Sequence, residues 1–522
     1  MMKISSRILI IIILLFGFII RVWDLQAVPA GFFADEASVG YNAYTIAHSG
    51  RDEHGKIFPF FFEAFGEYKN PVAIYSTVPF VLIFGLNEYS VRLVSALYGT
   101  AGIFALYLLT KKMFQKNSHH ETIALLSAFF LTITPWDIHL SRIMLEGITA
   151  FIFFTSLGSY YFLKQHEHFR KHFLLSITFF TLAFYSYFPA RIFIPLLFLL
   201  LILIFHKALL IKKHLNTLLL GVLLLCLFSI PLVGSIYDQT LLNRWKQVNI
   251  FTNQTNEMHP IIHVTKNYLS HFSPDFLFFK GDSGMERQAI TRHSVREFGE
   301  LYVLQLPLIL IGLFFLIKKD RRLFMLLFGW MLLYPSGSMF TTDATAQATR
   351  SAIGIIPLTI LSGIGTWYLM ERLHRLGGFL GKITTVFLLA IIISCSILYL
   401  KSYYMHYNMY ASDFWGWQFG PRETMSYFLK NHDNYDDLYM SGEFNGGHIF
   451  LKFYDPKNIC QSKCKLGDFT REPTLYMPER KQLFSLSPEY IEASPLRDSF
   501  KTLKTIYYPN GKVAFKIGMI VQ

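Results

Sequence analysis

Long apolar runs recur along the first 404 residues of this chain, and they restrict the folds open to it more than any other feature. A run of about 18 or more apolar residues is long enough to cross the hydrocarbon core of a bilayer. The composition, 52% hydrophobic with a mean hydropathy of +0.36, agrees with this interpretation. We predict an α-helical polytopic membrane protein with about eleven transmembrane helices. The runs lie near residues 8–23, 93–110, 122–136, 147–163, 173–188, 192–205, 215–236, 301–317, 323–335, 351–370 and 382–400.

The formal net charge of +13 is concentrated in short basic clusters between these runs. Lysine and arginine favour the cytoplasmic loops of membrane proteins, so the clusters assign alternate loops to the inner face. They predict a multi-pass protein of the plasma (inner) membrane with a cytoplasmic N-terminus. The charge then reflects topology and contact with membrane lipids, and no nucleic-acid partner is expected. The clusters are Lys3 and Arg7; Lys111, Lys112 and Lys116; Lys164, Arg170 and Lys171; Lys207, Lys212 and Lys213; Lys318, Lys319, Arg321 and Arg322; and Arg372, Arg375 and Lys382.

This topology divides the chain into a transmembrane domain, residues 1–404, and an extracytoplasmic α/β domain, residues 405–522. Within the first, residues 24–92 form a long first outer loop and residues 237–300 a later one. The C-terminal part carries more charge and four β-prone stretches, DDLYMSG, HIFLKFY, TLKTIYYP and KVAFKIG. The Asn-Gly pair at 510–511 predicts a hairpin turn between the last two.

Four cysteines are present. Cys226 and Cys395 lie in apolar runs, where a thiol behaves as a small hydrophobic group. Cys460 and Cys464 lie close together in the outer domain, where a disulfide is allowed, and we predict that they form one. The C-x3-C pair lacks the second pair of ligands that a zinc site needs.

The first outer loop contains the stretch FFADEASVGYNAYTIAHSG. Asp35 can cap a helix that runs from Glu36 to about His48, and Gly50 can end it. The apolar face of this helix predicts an amphipathic juxtamembrane helix lying along the membrane surface. Asp35 and Glu36 are candidate catalytic carboxylates. The alternative is that both only cap the helix and complement its dipole.

A second short helix is indicated by GEYKNPVAIYSTVPFVLIFG, with Asn70 as its cap and Pro71 in its first position. Lys69 precedes this start on the outer side, against the positive-inside bias and badly placed for the helix dipole. Both facts suit a cation that binds an anion such as phosphate. The alternative is a solvated surface lysine.

Further ionisable residues share this outer position, and together they favour a phosphate-binding site because arginine is the usual bidentate phosphate ligand. For each one alone, ion pairing or contact with lipid headgroups is the simpler explanation. These residues are Arg92, Arg142, Glu146, Arg191 and Arg350.

The ordered set of motifs in the first outer loop resembles that of bacterial GT-C glycosyltransferases, in particular the protein O-mannosyltransferase-like group (glycosyltransferase family 39) that includes the aminoarabinose transferases of lipid A. The P-x-G…DEA signature falls at Asp35–Glu36, G-x-D-x-x-G-x-x-x-P at residues 50–59, and E-x-x-x-R-L at residues 88–93. YSYFPARIFIP, ATRSAIGIIPL and FWGWQFGPRETMSYFLKN are similar to later motifs of the group. This chain departs from the group where Asn70 separates Lys69 from Pro71, which puts the role of Lys69 in question.

The resemblance implies an inverting transfer of a sugar from a polyprenyl-phosphate donor to an acceptor hydroxyl at the outer membrane face. Asp35 is then the base, supported by Glu36, and the donor phosphate is bound by Lys69, Arg92, Arg142, Arg191 and Arg350, with Glu146 orienting one cation. The acceptor is a glycan, a lipid or a protein. Many relatives need no metal and some GT-C enzymes use a divalent ion, so a metal ion stays open.

Two other functions fit the same pattern. An oligosaccharide ligase or polymerase keeps its largest catalytic loop late in the chain, and residues 237–300 contain Arg287, Arg292, His293 and Arg296. A lipid-linked-sugar flippase or transporter would place polar or ionisable residues inside its spans, and these spans contain few.

Overall fold

The structure, a computed structural model, describes residues 5–209, 212–237, 245, 249–252, 259–283, 291–342, 345–375 and 377–521. Arg287, which the sequence offered for a ligase, lies outside the described residues.

Each of the eleven apolar runs coincides with a helix, which confirms a multi-pass helical membrane protein. Five of these helices are long and apolar enough to cross a bilayer, and a bent pair would make a sixth, within the described ranges. The total of eleven spans stays a prediction. The helices of this part are α1 (Ser6–Val22), α2 (Ala34–Ser49), α3 (Pro71–Phe84), α4 (Glu88–Met113), α5 (His120–Ile133), α6 (Pro135–Ser141), α7 (Ile148–Lys164), α8 (Phe169–Phe184), α9 (Ala190–Leu209), α10 (Leu215–Tyr237), α11 (Pro260–Ser270), α12 (Gln305–Lys319), α13 (Arg321–Leu333), α14 (Ile355–Arg375) and α15 (Gly378–Met405).

The first outer loop contains α2, α3 and between them the antiparallel hairpin β1 (Phe62–Ala64) and β2 (Glu67–Lys69). Gly50 ends α2 in the left-handed conformation, with φ 66°, and Pro71 opens α3, both as the sequence predicts. The prediction that Asp35 caps α2 is wrong. The helix begins two residues earlier than predicted, at Ala34 with Phe33 as its N-cap, and the Glu36 carboxylate accepts the Phe33 N–H at 3.2 Å.

The apolar face of α2 lies against protein rather than along the membrane surface. Val39, Ala43 and Ile46 are all buried, in one core with Phe428 and Phe453 of the C-terminal domain. The predicted surface position of this face is therefore wrong, because the domain formed much later in the chain covers it.

The C-terminal region forms a five-stranded sheet in the order β4-β3-β5-β7-β6. Strand β3 is parallel to β4 and β5, whereas β7 is antiparallel to β5 and β6. The Asn-Gly turn joins β6 to β7, and Tyr508 donates its N–H to the Lys512 carbonyl there at 2.8 Å. The elements are α16 (Tyr407–Ala411), α17 (Pro421–Asn431), β3 (Asp437–Met440), α18 (His448–Tyr454), β4 (Cys464–Leu466), β5 (Gln482–Leu486), α19 (Pro488–Ala493), β6 (Phe500–Tyr507) and β7 (Val513–Ile520).

The stretch HIFLKFY, which the sequence presents as β-prone, is the helix α18. Strands β3 and β4 are parallel neighbours, so the chain between them must cross back over the sheet, and a helix does this. Ile449, Phe450 and Phe453 are buried, and the Phe453 ring lies 4.8 Å from that of Phe32. Tertiary packing thus overrides the local β propensity.

Two buried carboxylates attach the C-terminal domain to the first outer loop. Glu88, the first residue of α4, accepts from Arg422 Nη1 and from the Tyr454 hydroxyl, each at 2.6 Å. Glu53 accepts from Lys452 Nζ at 3.0 Å. The outer domain therefore rests on the loop that holds the candidate catalytic residues.

Candidate active site

Asp35 and Lys69 form an ion pair on the outer face. The first turn of α2 presents Asp35, and the end of β2 presents Lys69, so that Nζ lies 2.6 Å from Oδ1. The lysine side chain is 2% exposed and the aspartate side chain 30%. The ammonium is thus buried within the protein, while the carboxylate remains partly exposed.

Two more carboxylates surround the Lys69 ammonium. Glu67 lies 3.9 Å from Nζ, and Glu146 interacts with it electrostatically. Burial alone would lower the pKa of Lys69, but Asp35, Glu146 and Glu67 outweigh it and the pKa is raised. Lys69 is therefore a permanent cation at the centre of three acids, and it is not the solvated surface lysine of the alternative explanation.

Asn70 connects this cluster to Arg191. Its side-chain oxygen accepts from Arg191 Nη2 at 2.7 Å, and its Nδ2 lies 3.4 Å from Glu146 Oε2. The predicted cap of α3 does not use its side chain to cap the helix. Arg191 also lies over the rings of Phe61 and Phe188, and its buried Nε has no hydrogen-bond partner among the described residues.

Burial raises the pKa of Glu146, and the neighbouring Glu67 and Asp35 carboxylates raise it further, whereas Lys69 and Asn70 act against this. Glu146 adopts φ +54°, in the left-handed region that few residues other than glycine occupy. Such strained positions concentrate at functional sites. The sequence prediction that Glu146 lies beside a cation agrees with this placement.

Arg292 enters the site from the late outer loop, which the sequence connected only with a ligase. Its guanidinium lies 4.0 Å from the centre of the Phe33 ring, and its Nη1 donates to the Trp415 carbonyl at 2.8 Å. Burial lowers the pKa of Arg292, and the charge of Asp35 acts in the opposite direction. No local pattern distinguishes this arginine from its neighbours in the loop.

Next to Arg292 in the chain, His293 forms a buried pair with Asp282. His293 Nδ1 is 3.3 Å from the Asp282 carboxylate, which also accepts the Ala348 N–H at 2.9 Å. Burial lowers the pKa of His293, against the effect of Asp282, and Arg292 and Arg350 lower it further. Arg350 therefore interacts electrostatically with His293, close to Arg292 and Asp282.

Glu36 and Arg92 form a second ion pair, separate from the pair of Asp35 and Lys69. Glu36 accepts from Arg92 Nε at 2.9 Å and from Nη2 at 2.8 Å, and it also accepts the Met144 N–H. The other Arg92 N–H groups donate to backbone carbonyls of residues 25, 29 and 31. Neither side chain is exposed, so the structure brings neither to a donor phosphate, contrary to the expectation for Arg92.

The terminal nitrogens of Arg142 also donate to groups of the protein. Its side chain is fully buried, and Nη1 donates to the carbonyls of residues 20 and 21 at the end of α1 and to the Tyr404 hydroxyl. Nη2 donates to the Val28 carbonyl at 2.8 Å. Arginine commonly satisfies the free carbonyls at a helix C-terminus. The phosphate role expected for Arg142 does not agree with this geometry.

Gly31 allows the C-terminal domain to close on this loop. It adopts φ +97°, and a Cβ atom on it would lie 2.3 Å from the Trp417 carbonyl oxygen. The Trp417 ring lies 5.5 Å from the Arg92 guanidinium. The glycine of the P-x-G motif is therefore required by a close approach of two backbones.

An apolar groove begins beside Arg191 and descends between α8, α9 and α10. Two cavities of about 310 and about 200 Å³ share Ile177, Phe198 and Leu225 as walls. Tyr185 lines the outer end and His206 the inner end. Arg191 lies one turn above Ile194, which also lines the groove. A cation at the head of an apolar groove suits a lipid with an anionic headgroup.

Within the described residues, no group of three or more His, Cys, Asp or Glu side chains is arranged to hold a metal ion. The three carboxylates near the site instead surround the Lys69 ammonium. The structure joins Cys460 to Cys464 by a disulfide within the C-terminal domain, as predicted.

Solved structures with the same fold include ArnT from Cupriavidus metallidurans bound to undecaprenyl phosphate, with a TM-score of 0.56 at 12% identity over 99% of this chain and 98% of that one. Apo ArnT from the same organism has a TM-score of 0.54 at 11% identity, over 99% of this chain and 97% of that one. The apo oligosaccharyltransferase of Archaeoglobus fulgidus has a TM-score of 0.56 at 13% identity, over 98% of this chain and 74% of that one. The chain has the fold of the GT-C glycosyltransferases.

Residues 68–233 match the family model described as dolichyl-phosphate-mannose-protein mannosyltransferase, over about a third of the chain. No curated protein matches the chain. The partial family match and the shared fold both agree with the resemblance of the first outer loop to GT-C proteins such as the protein mannosyltransferases and ArnT.

Proposed function

We propose that this protein transfers a sugar from a polyprenyl-phosphate donor to an acceptor hydroxyl at the extracytoplasmic face of the plasma membrane, with inversion at the anomeric carbon. The observation that carries the proposal is the Asp35–Lys69 pair, which places a carboxylate open to the outside 2.6 Å from a sealed cation. The family match supports a donor of this class. Two solved structures of the same fold support it as well: ArnT bound to undecaprenyl phosphate, and the Archaeoglobus fulgidus oligosaccharyltransferase AglB in complex with a dolichol-phosphate.

The donor lipid would occupy the groove between α8, α9 and α10, because its walls are apolar and its outer end lies beside Arg191. The phosphate would then lie beside Arg191, whose Nε has no hydrogen-bond partner among the described residues. The charge of the buried Lys69 would stabilise it electrostatically, without direct contact. Arg292, which interacts electrostatically with Asp35, would be a third cation near the sugar phosphate. Arg92 and Arg142 take no part in phosphate binding.

In the reaction, the acceptor hydroxyl would attack the anomeric carbon from the side opposite the phosphate. Asp35 accepts the hydroxyl proton as the new C–O bond forms, and the electron pair of the breaking bond leaves with the phosphate. The leaving phosphate gains negative charge at that moment, and preorganised cations stabilise it without reorganisation. Glu36 and Arg92 hold the first turn of α2 in place and are positioning residues.

The test is turnover by purified protein of donors fractionated from a lipid extract, with glycan, lipid and protein acceptors tried in turn. Lys69→Met should reduce turnover by roughly a hundredfold or more, the usual effect of losing one oxyanion-stabilising donor. Lys69→Arg should retain part of the activity, because it keeps the charge among the three carboxylates. Lys280→Met is the matched control, since this lysine is exposed and pairs with the exposed Asp275.

The outcomes separate the three candidate functions. Release of lipid phosphate only with an acceptor, from monosaccharide donors, supports the transferase. A requirement for oligosaccharide donors would indicate the ligase or polymerase, a possibility favoured by the entry of Arg292 from the late loop. Movement of lipid-linked sugar across vesicles without any acceptor would indicate a flippase and contradict the proposal.

A further inference from the structure

The proposed reaction does not use the large apolar side chains at the end of the first outer loop. Ile57 is 65% exposed, Phe58 62% and Phe60 41%. We name residues 57–60 the aromatic tip. Three such side chains in succession form an apolar patch that a water-soluble surface avoids, and patches of this kind mark contact with a partner or a membrane.

The motif G-x-D-x-x-G-x-x-x-P builds this tip. The Asp52 carboxylate accepts the N–H groups of His54 at 2.9 Å and Lys56 at 2.8 Å and so shapes the turn. Phe58 adopts φ +37°, and its N–H donates to the Gly50 carbonyl at 2.9 Å. A bulky residue in the left-handed region is strained. The Phe58 ring is therefore exposed by a loop whose backbone is strained at this residue.

The tip lies at the mouth of the apolar groove. The Phe60 ring is 4.8 Å from that of Tyr185, which lines the groove. Phe61 and Tyr185 pack in one cluster with Leu232 near the outer end of α10. On α10 the exposed side chains include Ile230 at 61% and Val233 at 64%, and these face lipid in a spanning helix. The tip is thus continuous with a lipid-facing surface.

Basic residues lie next to the tip on the side of the turn. Arg51, His54 and Lys56 are all exposed, and Lys56 pairs with the exposed Glu63 at 3.0 Å. Apolar side chains next to a row of basic residues are typical of segments that enter the interface of a membrane, where the cations contact lipid phosphates. The occupant that this surface fits is therefore the outer leaflet of the bilayer.

We infer that residues 57–60 insert into the outer leaflet and form, together with Tyr185, a lateral entrance through which the isoprenoid chain of the donor reaches the groove. This inference rests on the proposed function for the identity of the lipid that enters. The insertion itself rests only on the exposure of the tip, its contact with α10 and its basic border.

The first experiment compares two donors in bilayer nanodiscs, one with a long polyprenyl chain and one a short water-soluble analogue. Phe58→Ser/Phe60→Ser should lower kcat/KM for the long-chain donor about tenfold, mainly through KM, and leave the short donor unchanged. Ile83→Ser/Phe84→Ser is the matched control, because these exposed residues end α3 away from Tyr185. An equal loss with both donors, or no loss with either, would overturn the inference.

The second experiment needs no activity. A photo-crosslinking aromatic amino acid at position 58 should form adducts with phospholipid acyl chains, whereas the same group at Leu503, exposed on β6, should not. Absence of lipid adducts at position 58 would refute the insertion. Adducts at 58 in a protein that turns over no donor would contradict the proposed function and leave the insertion established.

Discussion

Glu36 and Arg92 face each other through two parallel hydrogen bonds of 2.8 and 2.9 Å, with neither side chain exposed. This pair joins α2 to α4. The sequence suggested a catalytic role for Glu36 and a phosphate-binding role for Arg92. Because every N–H of Arg92 already has a partner within the protein, the pair holds the first outer loop in shape.

Arg92→Met should therefore lower stability by about 3–5 kcal/mol, the effect of leaving one member of a buried ion pair alone. Thermal unfolding of the purified protein measures this. Arg92→Met/Glu36→Gln should recover part of the loss, and Arg51→Met, at an exposed arginine of the same loop, should change little. If Arg92→Met keeps its melting temperature and loses only donor affinity, Arg92 binds the phosphate as first expected.

Asp35→Asn should reduce turnover by roughly a hundredfold or more while donor affinity and melting temperature stay near those of the native protein. Asparagine keeps the shape and one oxygen for Lys69 but cannot take a proton at neutral pH. Glu36→Gln should instead lower the melting temperature. Full activity of purified Asp35→Asn with a defined donor would show that Asp35 only neutralises Lys69.

The buried Glu146 should make stability depend on pH. Burial raises its pKa above the ordinary 4.5, so the native state holds this proton more tightly than the unfolded chain. The resulting stability is fully present below about pH 4.5 and is lost as pH rises through the raised pKa. Melting temperatures of the native protein should therefore fall relative to Glu146→Gln over that range. If the melting temperatures of the native protein and of Glu146→Gln change in parallel with pH, then Lys69 and Arg191 fully compensate the charge of ionised Glu146.

Cys460 and Cys464 should resist thiol reagents in the native protein until a reductant is added. The loop that the disulfide closes is short, with a sequence separation of 4, so the loss on Cys460→Ala/Cys464→Ala should be about 2 kcal/mol. Mass spectrometry of labelled peptides reads both sites, with Cys226 and Cys395 as the free cysteines for comparison. Labelling of both tail cysteines without reductant would disprove the bond.

The basic clusters predict a cytoplasmic N-terminus and an outer C-terminal domain. A reporter that is active only outside the cytoplasm should give signal when fused after residue 404, and none when inserted among residues 318–322. A silent fusion after residue 404 would mean that the eleven predicted spans contain one too many or one too few.

Local sequence was sufficient to predict the long apolar helices of the membrane part. Every apolar run lies in a helix because a bilayer leaves a buried backbone few other ways to satisfy its hydrogen bonds. Gly50 and Pro71 marked helix ends because glycine and proline act through their own backbone conformation. These features depend on a few neighbouring residues and can be predicted without knowing the fold.

The roles of the arginines could not be predicted in this way. Arg92 and Arg142 resemble phosphate ligands in sequence, but their partners are a carboxylate and backbone carbonyls supplied by distant segments. Arg292 looked like one loop cation among several, and only the fold brings it to Asp35. The helical state of His448–Tyr454 likewise follows from the parallel strands that it connects.

Gly31 and Trp417 meet at backbone distance although about 390 residues separate them. At a synthesis rate of roughly 5–20 residues per second, the ribosome needs about 20–80 s to reach the second after the first. During that interval the first outer loop has left the insertion machinery without the surface that covers it. The candidate active site is therefore completed only late in biogenesis, and a chain arrested before Trp417 should be inserted in the membrane but lack the proposed activity.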